Sequence, residues 1–363
     1  MCGICGVVNF DQSPVNSKSL MIMNDSMINR GPDDQGFLID NNFGFAMRRL
    51  SIIDLKNGKQ PIKSSNGRFV IVFNGEIYNY IELKKELIKK NYHFSTNSDT
   101  EVVVNYFQEK GIDGIVDFNG MFAIAIWDNH NRELFLIRDK VGIKPLYFTN
   151  KNRSFVFCSS LDGIQKYFKG RLEIDNESIF KYLAFSYIPF PYSIFKNVYK
   201  IKPGHFIKIN TYGEINEKEY WSKKTINPNN NFSLENKSDI IELLNDSIQM
   251  QMRSDVPIGT FLSGGVDSSA VVALLSKNSS DRINTFSIGF KDGLNELPQA
   301  KMIAKKYNTV HHEFFVTPLE MIQNLSVIID NLDEPLSDNS LFPTYHLSKF
   351  AVDHGIKVIL NGS

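Results

Sequence analysis

Two hydrophobic rhythms divide this chain. Up to about residue 210 the apolar runs are short, β-branched and aromatic, and each is bounded by turn-forming residues: 69–73 read FVIVF, 121–128 MFAIAIWD, 133–137 ELFLI, 155–158 FVFC and 205–209 HFIKI. Runs of four to eight such residues predict strands. Residues 121–128 and 133–139 are expected to pair across the turn 129–132. The run 69–73 is expected to stop at Asn74-Gly75-Glu76, because Asn-Gly is the commonest hairpin signal. Residues 47–54 place two arginines at the head of another strand-like run, and 97–101 (NSDTE) open an amphipathic helix with a cap and acidic first-turn residues. Between 182 and 220 prolines punctuate short strands.

After a polar, breaker-rich stretch at 227–231 the rhythm changes to alternation. A helix is predicted over 237–252, a strand over 258–262, a helix after 265, a second strand over 283–289, a helix over 296–307, a third strand over 312–316, a helix after Pro318 and a fourth strand entering the glycine turn at 362. Strand–helix alternation predicts a parallel sheet with helices on both faces, whose ligands bind at the carboxyl ends of the strands.

The 363 residues suffice for two domains, and 42% hydrophobic content builds their cores. Lys plus Arg balance Asp plus Glu at 40 each, so no net basic charge argues for nucleic acid or an anionic membrane as partner. No apolar run reaches spanning length, and no signal-peptide pattern opens the chain. Three cysteines (Cys2, Cys5, Cys158) suit a reducing cytoplasm with a thiol kept for chemistry. Cys158 is expected in the core.

Ser263-Gly264-Gly265-Val266-Asp267-Ser268-Ser269 lies where a strand turns into a helix. Glycines let the backbone approach a bound group, and the open amides and dipole of the helix start favour an anion. Asp267 and Ser268 also serve an ordinary helix cap, but the contiguous run lacks the lysine of the common nucleotide loop and resembles the pyrophosphate loop of ATP pyrophosphatases.

At the other end stand Cys2, Gly3, Ile4 and Cys5. Removal of Met1 would leave the Cys2 thiol beside its own α-amine, so that nucleophile and base share one residue. A buried strand thiol, or half of a CxxC metal or redox site, are the competing readings; the second lacks another cysteine pair. Arg30-Gly31-Pro32-Asp33, Arg49, Asn74-Gly75-Glu76, Ser98-Asp99-Thr100-Glu101 and 138–147 (RDKVGIKPLY), taken with Cys2, resemble the glutamine amidotransferase domain of the N-terminal-cysteine type. The resemblance implies that Cys2 attacks the glutamine amide, Asn74 and Gly75 hold the oxyanion, Arg49 binds the α-carboxylate and Asp99 the α-ammonium. Leu50, Ser51, Ile52, Ile53 and Glu76 would add glutamine contacts. The turn 138–147 receives no catalytic part.

Both halves in this order resemble the glutamine-hydrolysing asparagine synthetase family, over nearly the whole chain. The fold implied is an α+β N-terminal-nucleophile αββα sandwich over 2–210, a linker over 211–235, and part of an α/β doubly wound, ATP-pyrophosphatase-like domain over 236–363. The activity implied is that of an ATP-dependent carbon–nitrogen ligase: ATP and Mg²⁺ convert aspartate to β-aspartyl-AMP and pyrophosphate, and ammonia released from glutamine at Cys2 passes internally and displaces AMP. Ser263, Gly264, Gly265, Asp267, Ser268 and Ser269 would hold the pyrophosphate, Leu262 and Ile288 the nucleotide, and Asn361 and Gly362 would touch ATP. Asp267 is the candidate magnesium ligand, and Asp333, Glu334 and Asp338 are either further candidates for Mg²⁺ or a substrate amine, or solvated charges. The neighbours His311 and His312 point opposite ways on a strand and are read as structural.

Two departures accompany the resemblance: Asn361 stands where serine is usual, and the acidic remainder of that second loop is absent. The chain thus looks like the front part of a longer protein, expected to hydrolyse glutamine and to make little or no asparagine. A cytoplasmic location follows from the same reading, and a homodimer is compatible with it. The competing functions are an amidotransferase acting on another carboxylate, such as a sugar or cell-surface precursor, a non-catalytic paralogue, and a simple glutaminase, which would leave the pyrophosphate loop without a purpose.

Overall fold

The computed structural model describes residues 1–170, 172–223, 237–290 and 295–362. They divide into two compact units, Met1–Lys224 with Asp333–Ser337, and Thr225–Leu332 with Asp338–Ser363. The breaker-rich stretch 227–231 lies outside the described residues.

The strands of the first unit are β1 (Gly3–Asn9), β2 (Asp34–Asp40), β3 (Phe43–Arg49), β4 (Ile62–Lys63), β5 (Phe69–Ile77), β6 (Gly120–Asp128), β7 (Glu133–Arg138), β8 (Tyr147–Lys151), β9 (Ser154–Cys158), β10 (Tyr199–Lys200), β11 (His205–Asn210) and β12 (Ile215–Glu219). They form two antiparallel sheets, ordered β10-β8-β9-β1-β3-β2 and β12-β11-β7-β6-β5-β4. The period of two sorts the side chains into layers. Ile4 and Val8 of β1 share a core with Val70 and Val72 of β5 and Ala123, Ala125 and Trp127 of β6, so the two sheets face each other there. Trp127 stacks on Phe43 at 4.0 Å in that core, and burying such a ring contributes roughly 1.5–3 kcal/mol.

The alternate residues face helices. Cys5 and Val7 lie under α1 (Ser17–Asp25) and α4 (Leu161–Tyr167), with Leu20, Met23, Leu161 and Ile164. Phe69, Ile71 and Phe73 lie under α2 (Tyr80–Lys89) and α3 (Asp99–Lys110), with Leu83, Leu87, Val103 and Phe107. Ser98 caps α3 by accepting from the Thr100 amide. Helix, sheet, sheet, helix is the expected αββα sandwich. A fifth helix, α5 (Asn176–Phe185), follows α4.

Three local expectations change. β5 does not stop at Asn74: residues 74–77 continue opposite 123–120 of β6, since the ladder offers backbone partners that a turn would forgo. Arg49 ends a strand instead of heading one, because its guanidinium draws the carbonyls of Ile53 and Asp54 into a turn around itself, at 2.9 and 2.8 Å. Residues 215–219, assigned above to the linker, pair with β11 as β12.

The second unit runs α6 (Lys237–Gln251), β13 (Ile258–Phe261), α7 (Val266–Asn278), β14 (Asn284–Phe290), α8 (Leu297–Lys306), β15 (Val310–Val316), α9 (Pro318–Gln323), α10 (Leu325–Asp330), α11 (Leu341–Asp353) and β16 (Val358–Leu360). Its sheet is parallel, in the order β15-β14-β13-β16. Leu262 packs with Val272 of α7 and Ala300 and Ala304 of α8 on one face; Phe286 packs with Leu347 and Ala351 of α11 on the other. The chain starts in the middle at β13, winds outward through β14 and β15, then returns to β13's other side as β16. This doubly wound order puts a switch point between β13 and β16, where a crevice opens past the strand ends.

Candidate functional site

Cys2 precedes β1 by one residue and packs against the core between the sheets, as its alternation with Ile4 requires. Its thiol donates to the Leu50 carbonyl at 3.7 Å, and the Leu50 amide approaches the sulfur at 3.4 Å. Arg30 Nε donates to the Cys2 carbonyl at 3.3 Å. Asn74 shares the inward face of β5 with Val70 and Val72; it is 1% exposed, and neither atom of its side-chain amide has a hydrogen-bond partner. A buried amide left unpaired is costly and calls for an explanation. Gly75 is required beside it, since a Cβ there would stand 2.1 Å from the Met121 carbonyl oxygen.

Cys2, Arg49, Leu50, Ile52, Ile53, Gly75, Glu76 and Asp99 line one pocket, so most of the residues predicted for glutamine converge. Ser51 and Asn74 are buried but do not line it. The Ser51 amide is tied to Asp33 Oδ2 at 2.9 Å. Gln60, Phe73, Ser98 and Thr100 also line the pocket, and no local sequence pattern marks Gln60. Its Oε1 accepts from the Phe73 amide at 2.7 Å and its Nε2 donates to Thr100 Oγ1 at 3.1 Å, joining β5 to the head of α3.

Burial dominates the electrostatics. It pushes the Cys2 thiol above its ordinary value and lowers the Met1 amine to about 6. Burial also raises Asp99 to about 6 and Glu76 well above the carboxylate range, Glu76 further by the charge of Asp99. A cationic guest would offset what burial costs these carboxylates.

The second pocket occupies the switch point. Leu262, Ser263, Ser268, Ile288 and Asn361 line it as expected, joined by Phe261, Ser287, Glu296 and Leu347. Gly264 takes φ +83°, and a Cβ there would lie 2.7 Å from the Ala300 amide nitrogen. Gly265 is the cap residue of α7, with Asp267 exposed in its first turn. Ser268 Oγ lies 3.0 Å from Ser263 Oγ, and the Gly265 amide donates to Ser263 Oγ at 3.2 Å. The Ser269 hydroxyl is buried with no hydrogen-bond partner. Gly362, just past β16, approaches the backbone of Asp267 and Ser268, where a Cβ would meet atoms at 2.8 and 2.9 Å. Gly264, Gly265, Asp267, Ser269 and Gly362 thus shape the loop without lining the pocket.

Residues 1–221 match the family model of a glutamine amidotransferase domain, and residues 239–363 match that of asparagine synthase. The chain belongs to the glutamine-hydrolysing asparagine synthetase family. It is 37% identical over 366 residues to asparagine synthetase (glutamine-hydrolysing) 1 of Bacillus subtilis (strain 168), covering all of this chain and 57% of that relative. It is 34% identical over 389 residues to putative asparagine synthetase (glutamine-hydrolysing) 2 of Methanocaldococcus jannaschii, covering all of this chain and 74% of that one. With asparagine synthetase (glutamine-hydrolysing) 2 of B. subtilis the identity is 34%, over 51% of the relative. The chain therefore spans between half and three quarters of the length of these synthetases.

The remaining candidates line neither pocket. Asp333 accepts from Ser160 Oγ and the Leu161 amide at 2.6 and 2.8 Å, and Glu334 pairs with Lys200, all within the first unit. Protein donors occupy Asp333 Oδ1 and one oxygen of Glu334, whose Oε2 is buried with no hydrogen-bond partner, and Asp338 caps its own turn through the Ser340 amide. His311 bonds Thr285 and His312 bonds Asn284 while stacking on Phe286, consistent with structural parts. Cys5 and Cys158 are opposed across β1 and β9, both fully buried on the helix-covered face, so Cys5 faces away from Cys2 and CxxC makes no site. No cluster of three metal-binding side chains occurs among the described residues.

Proposed function

We propose that the first unit releases ammonia from glutamine and that the second activates a carboxylate, aspartate, with ATP. The observation that carries the first step is the gathering of Cys2, Arg49, Gly75 and Asp99 around one pocket. With Met1 removed, the α-amine of Cys2 takes the thiol proton and the sulfur bonds to the side-chain carbonyl carbon of glutamine. The Asn74 amide and the Gly75 N–H receive the oxyanion, which would give the orphaned amide its partner. The proton then passes to the leaving nitrogen, the C–N bond breaks, ammonia departs, and water hydrolyses the thioester to glutamate. Asp99 holds the α-ammonium. Arg49 meets the α-carboxylate with the part of its guanidinium not spent on Ile53, Asp54 and Leu55.

At the switch point, Ser263 to Ser269 receive the β and γ phosphates of ATP. The orphaned Ser269 hydroxyl, the strained glycine and the open start of α7 fit an anion there. Leu262 and Ile288 flank the nucleotide and Asn361 and Gly362 close the loop from β16. Asp267 of the loop, with Glu296 of the pocket lining, would hold Mg²⁺, which would neutralise charge on the phosphate oxygens; one or two carboxylates suffice beside such oxygens. Attack of the aspartate β-carboxylate on the α-phosphorus releases pyrophosphate, and ammonia displaces AMP to give asparagine, steps expected of a longer chain that also supplies the acidic remainder of the second loop.

The test compares the Met1-processed protein with a form keeping one extra residue ahead of Cys2, following glutamate from glutamine. Release by the processed form alone is expected; undiminished release by the blocked form would overturn the assignment of Cys2. Aspartate-dependent ATP–pyrophosphate exchange in such a longer chain checks the second step, and exchange driven better by another carboxylic acid would overturn aspartate as the acceptor.

A further inference from the structure

The turn after β7 is the part of the amidotransferase signature that these steps leave unused, and it is rigidly built. Asp139, fully buried, accepts from the amides of Ile143 and Lys144 at 2.9 Å each. The Arg138 guanidinium donates to the carbonyls of Gly142, Lys144 and Ile201 at 2.8, 2.9 and 2.6 Å. Asp139 and Arg138 thus hold the Lys144 backbone at both its amide and its carbonyl. Its side chain is only 4% exposed, and its Nζ donates to Met1 Sδ at 3.2 Å. Lysine is almost never buried to this degree without an anion on it, and a thioether is a weak, uncharged acceptor. The geometry aims the ammonium at the start of the chain.

We propose that Lys144 is a positioning residue for the glutaminase centre: with Met1 gone, its ammonium stands beside the free α-amine of Cys2 and, together with Arg30, holds that amine in the neutral form that takes the thiol proton. The inference rests on reading Cys2 as an N-terminal nucleophile. An α-amine left alone titrates at ~7.7–8.0 and would be largely protonated, hence useless as a base, below neutrality. Nearby cations disfavour its protonation. Arg30 is fixed on the Cys2 carbonyl at 3.3 Å and supplies one charge; Lys144 supplies the other.

The groups facing the present amine are Cys2, Arg30, Lys144 and Asp33, and burial acts on it in the same direction as the two cations. Asp33 opposes them, but its carboxylate already accepts from the Ser51 amide. Cys2 is faced by the terminal amine, Glu76 and Arg49, and Lys144 by Glu76, Arg30, Cys2 and Asp139. Burial lowers Lys144, and the charge of Glu76 acts against that, favouring the ammonium.

The experiment uses Met1-processed protein carrying Lys144→Gln, Lys144→Met or Lys144→Arg, each checked for native folding by near-UV circular dichroism. Two pH profiles are read: the rate of Cys2 alkylation by iodoacetamide, which needs no turnover, and kcat/KM for glutamine hydrolysis. In the Gln and Met variants both acid limbs should move up by about one pH unit, a roughly tenfold loss at pH 6.5 that vanishes near pH 8.5; the Arg variant should keep the wild-type limb. A uniform loss at every pH, unmoved midpoints, or an Arg variant shifted as far as Gln would overturn the proposal and leave Lys144 a packing residue. If wild type releases no ammonia yet the alkylation midpoints move as stated, the function assigned to Cys2 fails while the electrostatic role of Lys144 stands.

Discussion

Replacing Asp99 by asparagine should make the first unit more stable and glutamine binding far weaker. Asp99 is 5% exposed, and burial raises its carboxyl to about 6 from an ordinary 3.8. Each unit corresponds to about 1.4 kcal/mol, so keeping this group ionised in the folded protein costs about 3 kcal/mol above pH 6.5. Between the two values the unfolded chain is ionised and the folded one protonated, so the penalty grows from near zero at pH 4 and levels off above 6. Asparagine keeps an acceptor for the Ile77 amide, now 3.1 Å from Asp99 Oδ2, and removes the charge. The same change also relieves Glu76, whose carboxyl the charge of Asp99 helps to raise. Urea unfolding of Cys2→Ala and Cys2→Ala/Asp99→Asn proteins, which cannot turn over substrate, measures the difference at pH 4, 6 and 8. A gain of about 3 kcal/mol at pH 8 that fades by pH 4 is expected. Saturating glutamine should raise Tm of the first protein and leave the second unmoved, because the bound ammonium is what offsets the buried charge. A double variant no more stable at pH 8, or equally stabilised by glutamine, would refute both the burial argument and the ammonium site.

Asn74→Ala should lower kcat for glutamine hydrolysis by about 10²–10³-fold with little change in KM, because its amide acts on charge that appears only after attack; steady-state kinetics decides, and a change confined to KM would place Asn74 in ground-state binding. Gly75→Ala would drive a Cβ to 2.1 Å from the Met121 carbonyl, so β5 and β6 must part and Tm should fall by several degrees, the overpacking cost being about 1–3 kcal/mol or more. Gly264→Ala combines a φ of +83° with a 2.7 Å clash against Ala300, and in the longer chain should abolish ATP–pyrophosphate exchange while glutamine hydrolysis continues; retained exchange would remove the phosphate loop from the mechanism.

Composition and local pattern already determined a good deal. Short strand-like runs marked off the first part from a second in which strands and helices alternate and a parallel sheet is expected, because the side-chain period of an element is a property of its backbone; the two-sheet sandwich of the first part came from the resemblance. The loop 263–269 was legible for a related reason: contiguous glycines and hydroxyls at a strand–helix junction leave few other conformations. What sequence could not supply was partnership across the chain. Asn-Gly at 74–75 looks like a turn until β6 provides hydrogen bonds that carry the strand through it. Arg49 looks like the start of a strand until its guanidinium gathers carbonyls four to six residues downstream. Gln60 and Glu296 carry no local signal, yet packing brings each into a pocket. Lys144 sat in a charged turn suited to solvent, and only the clamp formed by Arg138 and Asp139 buries it against the chain's first residue. Local preference is settled within a few residues, whereas burial and charge depend on atoms that the sequence holds far apart and only the folded chain brings within a few ångströms.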